Sequence, residues 1–104
     1  MTERPDILLT LVAPAALEES LVDLLLAVPD LALGFTTTAA DGRGAGIVLE
    51  TANERVRGRG RRIRIEIALS AGALEPVLAQ IREALPDANV FYWVTSLLDC
   101  RRLS

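Results

Sequence analysis

With 104 residues, 51% of them apolar, the chain suffices for one two-layer domain around a single core and not for two. Its 11 basic residues are all arginine, set against 14 acidic ones, and it has neither histidine nor lysine. These absences exclude Ser-His and Cys-His nucleophile pairs, imidazole metal ligands, lysine Schiff bases and the Gly-Lys-Ser/Thr phosphate loop.

The opening segment MTERPDILLTLV has no basic start, long apolar centre or small-residue cleavage site, and no apolar run approaches the roughly 20 residues that span a bilayer. A cytoplasmic chain without membrane insertion is expected. Residues 6–12, DILLTLV, form a first strand that is apolar on both faces. A helix follows within residues 13–30, where Leu17, Leu21, Leu24, Leu25 and Val28 make one stripe, Pro14 suits the first helical position and Pro29 ends the element. Glu19 and Asp23 share its polar face, and with few other oxygen ligands near them a solvated face is expected rather than a cation site. A second strand is predicted at residues 31–38, followed by three glycines in AADGRGAG.

Residues 39–60 read as a long connection, weakly patterned except for a helical turn or two near Thr51. Strand three is RRIRIEIAL, with Ile63, Ile65, Ile67 and Leu69 on one face and Arg62, Arg64, Glu66 and Ala68 on the other. The expected state of that second face is solvated or ion-paired. A second helix begins near Ala73, with Leu74, Val77, Leu78, Ile81 and Leu85 as its stripe and Pro76 in the first turn. Residues 89–95 complete a fourth strand. The order strand, helix, strand, strand, helix, strand predicts an α+β, ferredoxin-like βαββαβ sandwich filling residues 1–104 as one domain, its antiparallel sheet covered by two helices on one face.

The other sheet face is the informative one. Phe91, Tyr92 and Trp93 are consecutive, so in a strand they cannot all enter the helix-side core. Tyr92 and Trp93 are therefore candidates for a subunit interface, the cheapest cover for a sheet that is apolar on both sides.

Six arginines fall within residues 55–64. Arg55, Arg57, Arg59 and Arg61 belong to the glycine-interrupted end of the connection, where arginine forks suit phosphate or carboxylate. Thr37 and Thr38, at the end of strand two, could bond the same anion or simply suit a strand. Nucleic acid is not the expected partner. Residues 1–54 carry a net charge of −7 and residues 55–104 one of +4, and strand three has no aromatic on which a base could stack. Cys100 is the single cysteine, so no internal disulfide or soft-metal set can form from one chain. The residues name no cofactor.

The segments LLTLVAPAALEESLVDLLLA (8–27), GFTTTAADGRGAG (34–46), ERVRGRGRRIRIEI (54–67) and YWVTSLL (92–98) resemble the proteobacterial domain-of-unknown-function family 3240, whose members are similar to PII signalling proteins. The resemblance implies a homotrimer with its sheets turned inward, ligand clefts between subunits, and a partner-binding loop over residues 39–60 that includes Arg43 and Arg55. It also implies a regulatory role beside a heavy-metal efflux transporter. Ligand contacts would come from Thr37, Thr38, Arg57, Arg59 and Arg61, and from Arg101 and Arg102, which resemble the basic C-terminal residues of PII clefts. The glycine-rich, lysine-containing segment that precedes the fourth strand in nucleotide-binding PII proteins is replaced here by LPDAN. Two other readings stand beside this one: an enzyme in which Arg59 or Arg61 orients a carboxylate while Tyr92 or a carboxylate moves a proton, and a purely structural interaction module.

Overall fold

The structure is a computed structural model that describes residues 4–32, 34–44 and 60–103. Its elements run β1 (Ile7–Pro14), a 3-10 turn (Ala15–Leu17), α1 (Glu18–Leu26), β2 (Phe35–Gly42), β3 (Gly60–Leu69), a second 3-10 turn (Ala71–Ala73), α2 (Leu74–Ala84) and β4 (Phe91–Ser96). The four strands form one antiparallel sheet in the order β2-β3-β1-β4. This is the predicted ferredoxin-like sandwich, with the first strand enclosed by the third and the fourth.

The core follows from two periodicities meeting. From the sheet come Leu9, Leu11 and Ala13 of β1 and Ile63, Ile65, Ile67 and Leu69 of β3; from the helices come Leu21 and Leu25 of α1 and Val77, Leu78 and Ile81 of α2. Leu17, Leu24, Val28, Leu74 and Leu85 pack around that centre partly buried, so both helical stripes are as predicted. The β1–β3 register pairs Leu9 with Ile67, Leu11 with Ile65 and Ala13 with Ile63, placing the two strongest apolar rows side by side under the helices.

The fourth strand runs Phe91–Ser96 rather than over residues 89–95, α1 stops at Leu26, ahead of Pro29, and three further boundaries differ. Pro14 does not open a helix. It ends β1 in an extended conformation (φ −54°, ψ 139°) and leads into the 3-10 turn, because its fixed φ suits either role and its pairing with Arg62 holds it in the sheet. The second strand begins at Phe35 rather than Leu31, since Leu31 and Ala32 donate their amides to the Val28 carbonyl in the turn that closes α1. It continues through Ala39, Ala40, Asp41 and Gly42, which are poor strand formers but pair with Ile63, Arg62, Arg61 and Gly60. The first four residues of the expected 39–60 connection are therefore strand. The helical turn near Thr51 lies outside the described residues.

A side chain fastens the sheet to α2. The Asp6 carboxylate accepts a 2.8 Å hydrogen bond from the Ala71 amide at the head of the second 3-10 turn, while the Asp6 backbone bonds Leu69 and Leu97.

Candidate functional site

Because directly paired residues share a face, the two registers through β1 and the one between β2 and β3 assign every side chain of the sheet. The face away from the helices carries four rows, of which one is Ala68, Leu8 and Thr95. The next runs Thr36, Glu66, Thr10, Trp93; then come Thr38, Arg64, Val12, Phe91; the last includes Ala40, Arg62 and Pro14. Its β2/β3 half is polar, and its β1/β4 half is apolar and aromatic. Phe91 and Trp93 stand there 42% and 49% exposed, beside Leu8 and Val12.

Tyr92 turns the other way. It pairs with Leu11 and lines a cleft of about 140 Å³ between α2 and β4, whose walls include Leu78, Ile81, Leu85 and Val90. Of the two interface candidates, only Trp93 lies on the open face. Phe91, two residues before it, shares that face and was missed. The i, i+2 relation was the signal that could have found it.

The candidate anion ligands are spread widely. Thr37 faces the helix side opposite Ile65 and Thr38 the open side opposite Arg64, both exposed. Arg61 lies in β3, not in the connection, and faces Asp41 across the strand pair; opposite charges at such positions attract. Arg43 is exposed just beyond β2, next to Gly44, whose φ of 122° is open to glycine and costly for other residues. Arg55, Arg57 and Arg59 lie outside the described residues.

The tail arginines sit elsewhere. Residues 97–103 leave the sheet after Ser96, which pairs with Ile7, and Ile7 with Leu69. Arg61 lies eight positions before Leu69 along β3, about 27 Å at strand rise. In the tail Arg101 binds Asp99 at 2.9 Å through Nη2 and at 3.2 Å through Nε, and Arg102 is exposed.

Arg62 overturns one of its two expected states. Of a solvated or an ion-paired strand face, the solvated one is excluded, since the side chain is only 2% exposed. Its head lies over Gly60 and donates a 3.2 Å hydrogen bond to the Arg61 carbonyl. The missing Cβ of Gly60 makes room for that conformation.

Among the described residues no group of three Cys, Asp or Glu side chains comes together as a metal site, and no helix is long and apolar enough to cross a membrane. Glu18, Glu19 and Asp23 are exposed along α1.

The family model for a protein of unknown function, DUF3240, matches residues 3–104. The chain belongs to the DUF3240 family. A DUF3240 protein from Shewanella baltica superposes with a TM-score of 0.79 at 20% identity, over 98% of this chain and 100% of that one. A PII-like protein from Thermus thermophilus, a signalling candidate, is 30% identical over 93% of this chain and 91% of its own, with a TM-score of 0.63. CPII of Thiomonas intermedia, a nitrogen regulatory PII-like protein solved with ADP, AMP and bicarbonate, gives 0.70 at 19% identity over 95% and 97%. No curated protein matches the chain. The DUF3240 fold is thus PII-like, as the sequence resemblance implied.

Proposed function

We propose that this DUF3240 protein is a cytoplasmic, trimeric PII-like regulator that binds a small anion in clefts between subunits and a partner protein through the connection between β2 and β3. The partner class is a component of a heavy-metal efflux system. The observation that carries the reading is the open sheet face, where Phe91, Trp93, Leu8 and Val12 form an apolar half that nothing among the described residues of the protomer covers. A ring of three with sheets inward covers it.

The same assembly accounts for the scattered arginines. Arg61 and the tail leave one protomer's sheet at opposite ends, so a site that uses both is most readily built from two subunits. An anion suits this site because arginine forks match carboxylate, bicarbonate and phosphate alike. CPII, with its bound ADP, AMP and bicarbonate, supplies the first ligands to try.

The test is solution mass by light scattering, followed by thermal melts with ADP, AMP and bicarbonate. Three times the chain mass is expected, with a melting temperature that rises with one of these ligands. A monomer at every concentration overturns the assembly and its clefts together. Calorimetry against a purified efflux component tests the partner separately.

A further inference from the structure

We infer that Arg64 of one copy pairs with Glu66 of the next across the open sheet face, so that this face recognises a second copy of itself by charge as well as by its apolar half. The inference rests on the trimeric reading and adds to it the contact that sets one copy against another. The two residues lie two positions apart on β3 and share the open face, about 7 Å from each other at strand rise, Arg64 between Thr38 and Val12 and Glu66 between Thr36 and Thr10. Arg64 is exposed and Glu66 half-buried. Among the described residues neither takes part in an ion pair or a side-chain hydrogen bond, with the other or with any third group.

Charge selects the occupant. The charged side chains that the described strands place on this face are Arg62, Arg64 and Glu66, and the head of Arg62 is buried over Gly60. One base and one acid are left to meet an opposing surface, beside Leu8, Val12, Phe91 and Trp93. A surface of a single sign would set a like charge against one of the two, whereas a second copy brings the opposite charge to both. Covering the face makes the match necessary, because a charge taken out of water without a partner is strongly disfavoured. In a closed ring each copy offers Arg64 to one neighbour and Glu66 to the other, so three copies form three pairs and leave neither charge over.

Charge reversal tests the pairing, with light scattering on a dilution series of the full chain as the readout and circular dichroism as the check on folding. Arg64→Glu and Glu66→Arg should each leave the protomer folded and raise the assembly's dissociation constant at least tenfold. An equimolar mixture of the two variants should regain assembled mass at concentrations where neither has it alone, since two of the three junctions in a mixed ring are matched. Recovery in the double reversal but not in the mixture would place the pair inside one chain, and unchanged constants in both single variants would remove it altogether; either result overturns the inference and leaves the trimer standing. Monomer mass for the unchanged chain overturns both. If a reversal unfolds the protomer, Arg64→Gln and Glu66→Gln replace it in a double-mutant cycle on the dissociation constant, where losses that simply add would show that the two residues do not meet.

Discussion

A Cβ built on Gly60 would stand 2.9 Å from Nη2 of Arg62, so the guanidinium occupies the space that this glycine leaves empty. The contact is with the far end of a flexible side chain, which can move. Gly60→Ala should therefore shift the Arg62 head yet change stability by no more than about 1 kcal/mol, because alanine also restricts the unfolded chain. Urea melts that show a loss above about 2 kcal/mol would mean that the arginine cannot leave its place.

Arg62 itself should matter more than Gly60. Arg62→Ala removes a buried stem and the bond to the Arg61 carbonyl, and a loss of about 1–3 kcal/mol is expected. Arg62→Met, which keeps most of the stem, should recover part of it. Equal losses in the two variants would assign the effect to the charged head alone.

Leu25 and Leu26 are neighbours with opposite fates on α1. Leu25 is wholly buried and Leu26 exposed. Leu25→Ala should cost about 2–5 kcal/mol, and Leu26→Ala within about 0.5 kcal/mol, by denaturant midpoint at constant slope. A large loss for Leu26 would point to a contact between subunits at α1.

Much of this architecture was legible in the residues. The Ile63, Ile65, Ile67 alternation and the two leucine-rich stripes stand out because each buries one face of a regular element. The end of β2 did not: Ala39–Gly42 has little strand preference of its own and is held by its pairing with β3. Nor did the direction of Tyr92, since three aromatics in a row alternate equally well in either register, and only the pairing of Tyr92 with Leu11 decides between them. The burial of Arg62 was not legible because alternation predicts which side a residue takes, not whether its head folds back over a glycine. The candidate site was the least legible part, since its arginines lie on separate segments and three of them, Arg55, Arg57 and Arg59, fall outside the described residues.

Trp93 separates protomer stability from assembly. Half exposed in one chain, it should contribute little to a single subunit, but in a ring with sheets inward Trp93→Ala should weaken association by about 2 kcal/mol or more. The check is melting and mass at several concentrations: the variant should melt lower and lose its assembled mass on dilution at a higher concentration than the unchanged chain. Unchanged mass and melting at all concentrations would take Trp93 out of the interface.

Asp6 offers a local test of the tie between the sheet and α2. Asp6→Ala deletes the acceptor for the Ala71 amide and should cost about 0.5–2 kcal/mol, as capping losses do. Asp6→Asn, which keeps an oxygen in place, should cost less. Amide hydrogen exchange at Ala71 is the direct readout, and protection that persists in the alanine variant would show that the amide finds another acceptor.

The central position of β1 also bears on how the chain comes together. Ile7 pairs with Leu69 on one side and Ser96 on the other, so β1, once made, waits for two neighbours that both follow it far along the chain. Contacts that distant in sequence close slowly, and during that wait Leu9 and Leu11 have no sheet to enter. Folding is thus tied to completion of β4, and a chain halted before Phe91 would present an open, apolar strand edge to any other chain nearby.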